Sequence, residues 1–227
     1  MAVNEFGTLR GCVLWQDYRR QTALDYGPAG NLHPATLYGD AALDAGAGLV
    51  LGGVNGYGGL ALADDLNFAG AASFSIFYRG TPTDAVDGDT IVANSTGGTG
   101  TTVRFGLDII NGGSHHQRER VLIGDGTSYS AAYAADYTFS AGVELCGGVV
   151  VQSIGGGQTT VQHYVDGAAS GGLTTLTRVL AASSKGLDIG RNYANNSFIW
   201  KGSFKWLLIF NRALSAAEAA YLATLGA

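Results

Sequence analysis

Short apolar or alternating segments, bounded by glycine, asparagine and aspartate, recur from one end of the chain to the other. Strands of about 4–8 residues between turn signals are the mark of an all-β sandwich or barrel. The pattern predicts strands near 10–15, 35–39, 47–52, 57–62, 72–79, 89–93, 102–110, 119–124, 136–139, 143–153, 159–166, 186–190 and 199–211. Within FSIFYR, alternation puts Phe74, Ile76 and Tyr78 on a core-facing side and Ser75, Phe77 and Arg79 on the other. Within FKWLLIF, Phe204, Trp206, Leu208 and Phe210 alternate with Lys205, Leu207 and Ile209, so both faces are largely apolar. Such a strand is central and covered on both sides, or one face meets a partner.

Asp87-Gly88, Asp125-Gly126 and Asp166-Gly167 are hairpin signals, and Gly155-Gly156-Gly157 reads as a loop joining antiparallel neighbours. One helix is predicted near the C-terminus. Ser215 and Glu218 make a capping box, Leu214 staples the entry, and AAEAAYLATL supplies helix formers up to Gly226. No linker, charge block or repeat divides the chain, so residues 10–227 are expected to form one domain and residues 1–9 an N-terminal arm.

Composition narrows the class. Glycine supplies 36 of 227 residues with only 3 prolines and no collagen-like period, which fits many tight turns. A hydrophobic content of 46% against 14% charged residues excludes a disordered chain, and no apolar run approaches the roughly 18 residues of a membrane helix. The net charge of −5 leaves no electrostatic footprint for nucleic acid. Cys12 and Cys146 lie in apolar, strand-like contexts and are expected to be buried free thiols. MAVNEFGTLR lacks an export signal, so synthesis and folding in the cytosol are expected.

The order of segments resembles a known family. LWQDYRRQTALDYGPAGNLHPATLYGDA, GLVLGGVNGYGGLALADDLNF and FSIFYRG are similar to the first half of laminin-G-like, concanavalin A-like jelly-roll domains. YVDG at 164–167, LDIGRN at 187–192 and GSFKWLLIFNRALSAAEAAYL at 202–222 resemble that family's ending, and the likeness runs over about residues 9 to 225. It implies an all-β antiparallel sandwich, two sheets packed as a jelly roll, with one short C-terminal helix. At Gly202-Ser203-Phe204-Lys205 the chain departs from the family, which has an acidic residue shortly after that glycine.

Such a fold serves lectins, hydrolases, adhesion modules and viral surface proteins, so function has to come from the site. Glycoside hydrolysis needs two carboxylates facing one sugar, and Glu5, Glu119, Glu144 and Glu218 each lack an acidic residue two positions away. His115 and His116 are expected in a polar surface loop, and His163 as a hydrogen-bonded strand residue rather than a base. Calcium, which the resemblance brings into view, could be held by Asp64 with Asp65 or by Asp166; turn chemistry also explains both places. RNYANNSFIW gathers Arg191, Asn192, Tyr193, Asn195, Asn196 and Trp200, the aromatic and amide groups a glycan site requires. The same residues also read as a tight asparagine-rich turn with Trp200 in the core. Tyr129, Tyr133 and Tyr137 could line a subunit interface or pack in ordinary strands and loops.

The resulting expectation is a non-enzymatic structural protein of a bacteriophage or related virion: a capsid decoration, head-spike or tail-fibre-associated subunit. It would be made in the host cytoplasm, displayed on the virion surface, and possess a homo-oligomeric interface through the apolar second face of residues 205 to 211. Other virion proteins and host-surface polysaccharide are its expected partners, with neither nucleic acid nor membrane insertion. A stand-alone carbohydrate-binding module is the alternative, and a glycoside hydrolase using isolated aspartates the third reading.

Overall fold

The computed structural model describes residues 10–28, 32–70, 72–84, 89–95, 103–112, 115–136, 139–192 and 198–226. Its strands are β1 (Cys12–Asp17), β2 (Thr36–Tyr38), β3 (Ala42–Asp44), β4 (Gly48–Gly52), β5 (Tyr57–Gly59), β6 (Phe74–Pro82), β7 (Thr90–Ser95) and β8 (Val103–Gly112). They continue with β9 (His115–Gly124), β10 (Tyr129–Tyr133), β11 (Leu145–Gly155), β12 (Gln158–Val165), β13 (Ala168–Leu176), β14 (Asp188–Ile189) and β15 (Lys201–Phe210). Helix α1 (Ala216–Ala223) follows. One sheet runs β13-β12-β11-β6-β15-β4-β3, with β1 also paired to β15, and the other runs β10-β9-β8-β7-β14-β5-β2. Every strand pairing is antiparallel, giving the expected two-sheet jelly roll with its C-terminal helix.

The core lies between the sheets. Phe74, Ile76, Tyr78, Val149, Leu207 and Ile209 of the first sheet meet Val92, Phe105, Leu107, Val121 and Ile189 of the second. Phe74, Ile76 and Tyr78 thus face inward as alternation requires, while Phe77 belongs to a second apolar cluster on the outer face. Turn chemistry sets the hairpins. Asp166 and Gly167 both have positive φ, at 48° and 81°, as a type I′ turn between β12 and β13 demands. Asp125 accepts the N–H groups of Thr127 and Ser128 to close β9 onto β10, and Gly155-Gly156-Gly157 links β11 to β12. Asp87-Gly88 lies outside the described residues.

Several sequence-level expectations need correction. The strand placed at 136–139 is not one; β10 forms at 129–133, and β3 and β13 add strands that no alternation announced. β13, AASGGLTTL, is an edge strand rich in small residues, and the type I′ hairpin rather than its own periodicity places it. His115 and His116 open β9 instead of lying in a loop. In β15 a bulge between Phe204 and Trp206 interrupts alternation, so Phe204, Leu207 and Ile209 point into the core and Trp206, Leu208 and Phe210 outward.

That outward face is covered by the chain itself, which corrects the expected oligomer surface. Trp206, Leu208 and Phe210 pack with Leu214, Ala219 and Leu222 of the C-terminal segment and are buried. The capping box forms as predicted: the Glu218 N–H donates to the Ser215 hydroxyl and the Ser215 N–H donates to the Glu218 carboxylate. Arg212 anchors Glu218, Trp206 Nε1 donates to the Leu225 carbonyl at 3.1 Å, and Arg79 donates to the Ala223 carbonyl. Lys205, at the departure from the family pattern, pairs with Glu144 at 2.7 Å. Cys12 and Cys146 are buried free thiols, as their apolar contexts implied.

Candidate functional site

Four neighbouring strands of the second sheet, β2, β5, β14 and β7, lie under an open cleft of about 540 Å³. Strand pairing sets Thr36 opposite Gly59, Gly59 opposite Asp188, and Asp188 opposite Ala93, all four lining the cleft. Residues directly opposite in an antiparallel pair share a face, so this row of mostly small side chains shapes the floor. Tyr38 pairs with Tyr57 beside it, and their rings stack with centroids 4.6 Å apart and planes 13° from parallel. Gly59 makes room for both. A Cβ there would stand 2.9 Å from Tyr38 Cε2 and 3.8 Å from Tyr57 Cε2, so a side chain would lift the Tyr38 ring from the sheet.

Arg191 completes the platform. Its guanidinium carbon lies 3.3 Å from the Tyr57 ring centroid, a cation–π contact. A guanidinium this close and a stacked ring cannot occupy one face, so Tyr57 is held between Arg191 and Tyr38. Arg191 Nε and Nη2 donate to Asp188 Oδ2 at 3.1 and 2.8 Å. Burial raises the Asp188 carboxyl above its ordinary value, and the hydrogen bonds from Arg191 pull the other way. Tyr57 covers one face of the Tyr38 ring, and 45% of Tyr38 remains exposed. His33 and Lys185 supply further polar groups to the wall; His33 Nε2 lies 2.9 Å from Asp65 Oδ2, and exposed Leu32 adds an apolar rim.

The residues expected from RNYANNSFIW are divided. Arg191 lines the cleft, whereas Asn192 is buried beside it. Trp200 is fully buried and stacks on Phe204 at 4.6 Å, so of the two readings of this stretch the one with Trp200 in the core holds, and the exposed stacked aromatics are Tyr38 and Tyr57. Tyr193, Asn195 and Asn196 lie outside the described residues. Asp64 and Asp65 sit in a short 3-10 turn, with Asp65 engaged by His33, and the Asp166 carboxylate accepts the Cys146 N–H at 2.8 Å. Among the described residues no three His, Cys, Asp or Glu side chains gather at one point. Of the second aromatic group, Tyr129 is exposed on β10, Tyr133 stacks under Arg118 at 4.5 Å, and Tyr137 lies outside the described residues.

His163 is the strand residue expected, but its partners were not foreseen. His163 Nδ1 lies 2.6 Å from Glu119 Oε1, and the Tyr78 hydroxyl donates to Glu119 Oε2 at 3.0 Å. All three side chains are buried between the sheets.

A family model described as the concanavalin A-like lectin/glucanases superfamily, of laminin G type, matches residues 54–220. The chain belongs to that superfamily. No curated protein matches the sequence of this superfamily member. Solved structures share its fold at low identity. Domain 4 of AbnA, a GH43 extracellular arabinanase from Geobacillus stearothermophilus solved with arabinotriose, aligns with a TM-score of 0.67 and 16% identity, covering 94% of this chain and 98% of that one. The botulinum neurotoxin serotype D ligand binding domain solved with N-acetylneuraminic acid gives 0.67 and 14%, covering 95% of this chain and 51% of that one. Botulinum neurotoxin type C, whose cell entry is dependent upon interaction with two ganglioside molecules, gives 0.68 and 14%, covering 96% of this chain and 52% of that one. The chain spans about half the length of these neurotoxin chains. At such identities the likeness defines the fold of the superfamily domain, and its site rests on its own residues.

Proposed function

We propose that this superfamily domain is a non-enzymatic glycan-recognition module whose binding site is the cleft over β2, β5, β14 and β7. The exposed face of Tyr38, backed by Tyr57 and Arg191 beside the Asp188 carboxylate, carries the reading. A flat aromatic face takes the C–H face of a sugar while adjacent polar groups take its hydroxyls. The cleft volume falls in the range of about 300–1,000 Å³ typical of small-molecule sites. Domains sharing this fold were solved with arabinotriose and with N-acetylneuraminic acid, and cell entry of botulinum neurotoxin type C depends upon interaction with two ganglioside molecules, which supports glycan recognition.

A binding role is favoured over hydrolysis by the disposition of carboxylates. Asp188 is the acidic side chain lining the cleft, and it is bound to Arg191; Asp65 behind the wall is bound to His33. A glycosidase sets two carboxylates about 5–9.5 Å apart across one sugar. Screening on a glycan array, followed by titration calorimetry with Tyr38→Ala, tests the reading: binding lost in that variant with folding intact is expected. Retained binding, or release of reducing ends from a bound polysaccharide, would overturn it.

We place the module on a virion surface, contacting host polysaccharide, because low charge and abundant small residues suit a close-packed, repeated surface subunit. Co-sedimentation with purified particles tests that setting, and a protein never found with particles would remove it.

A further inference from the structure

We propose that the cleft selects neutral, hydroxyl-rich pyranosides over sialylated or uronic-acid glycans. This rests on the glycan-binding reading and adds the charge class of the ligand. The guanidinium that would anchor a ligand carboxylate is built into the wall. Arg191 places Nε and Nη2 on one carboxylate oxygen of Asp188 and its flat face on Tyr57, so its charge holds the platform together.

Asp188 gives the opposite signal. Both bonds from Arg191 fall on Oδ2, and Oδ1 receives none from a described residue while the side chain remains on the cleft lining. A carboxylate oxygen is an acceptor only. It takes hydrogens from the hydroxyls of a neutral sugar and repels a ligand carboxylate placed at the same point. Thr36, in the same row across Gly59, adds a hydroxyl that both donates and accepts. His33 directs Nε2 toward Asp65, another carboxylate.

The open face of Tyr38 then fixes the shape of the ligand. A pyranose with mainly equatorial hydroxyls presents a face of axial C–H bonds to that ring, at the end of the stack away from Arg191, while a neighbouring sugar of the same oligosaccharide lies over the row of Thr36, Gly59 and Asp188 and meets the acceptor there. Lys185 lies on the lining as well and marks the rival case, since an acidic sugar would have to be held by its ammonium against Asp188.

The sign of one substitution separates the two classes. Neutral oligosaccharides such as cellotriose, mannotriose and galactotriose, with 3′-sialyllactose and trigalacturonate, serve as probes in titration calorimetry on the full chain. A neutral probe is expected to bind with little change between about 20 and 500 mM salt, where exposed charge–charge attraction is screened. Asp188→Asn, which keeps shape but removes the charge, is expected to weaken it about 10- to 100-fold, the loss of a charge-assisted hydrogen bond. Thr36→Val provides a second variant that leaves the Arg191 contacts in place and is expected to weaken neutral probes by about 3- to 10-fold. Binding confined to 3′-sialyllactose or trigalacturonate, strengthened by Asp188→Asn and abolished by salt, would overturn the neutral class while leaving glycan binding standing. Absence of binding to every probe and on a broad array would overturn both.

Discussion

Replacing His163 by leucine is expected to destabilise the protein severely without touching the cleft. Glu119 is fully buried, and its two oxygens are each met by one partner, His163 Nδ1 at 2.6 Å and the Tyr78 hydroxyl at 3.0 Å. His163→Leu leaves Oε1 without its donor in the buried space between the sheets. Breaking a buried pair by removing one member costs about 3–5 kcal/mol. His163 Nε2 is itself buried without a partner among the described residues, and its removal returns about 1 kcal/mol, so a net loss of about 2–4 kcal/mol is expected. For a chain of this size that is a fall in Tm of about 4–16 °C. Replacing all three groups, Tyr78→Phe, Glu119→Leu and His163→Leu together, leaves no orphaned polar atom and is expected to recover most of the loss. Urea and thermal unfolding at neutral pH measure both variants. A single variant within 1 kcal/mol of the parent, or a triple variant no more stable than the single one, would refute the reasoning.

Three further outcomes follow from the same packing. Trp200→Ala is expected to cost about 3–5 kcal/mol by leaving a cavity in the core, with glycan affinity per folded molecule unchanged; calorimetry on the folded fraction checks the second half. Burial pushes both Cys12 and Cys146 thiols up to about 12, so neither is expected to react with a thiol reagent at pH 8 until denaturant is added, when both should react. Glu218 is held down to about 2, first by Arg212 and then by the Ser215 donors. Because this value is depressed below the unfolded one, near 4.5, its contribution is present above pH 4.5 and lost as pH falls toward 2. The acid limb of the stability curve should therefore be shallower in Glu218→Gln than in the parent.

The cleft shows how far local pattern carries. Arg191 was visible because it sits in a polar, aromatic stretch, but Tyr38, Tyr57 and Asp188 lie on three short strands separated by up to 150 residues (Tyr38 to Asp188). β14 contains only two residues, and its place between β5 and β7 is decided by pairing with both. Nothing in LDIG states which strands will flank it. A weak signal was available in Asp188 and Arg191, three residues apart, and in tyrosines flanked by glycine at LYG and GYGG. Trp200 illustrates the converse: the turn reading put it in the core, but nothing in RNYANNSFIW indicated the Phe204 ring that takes its face there.

By itself, the sequence determined the class of fold, the inward face of β6, the β12–β13 hairpin, the capped helix and the two buried thiols. Each depends on periodicity, turn chemistry or contacts within a few residues, interactions whose partners are close along the chain. The tertiary structure decided which face of β15 the helix covers, where the bulge at Lys205 turns its side chains, which buried groups meet between the sheets, and where an aromatic face remains open. Those outcomes depend on pairing order and on the competition for apolar surface between segments far apart in sequence, and a one-residue bulge is enough to reverse which side of a strand is inside.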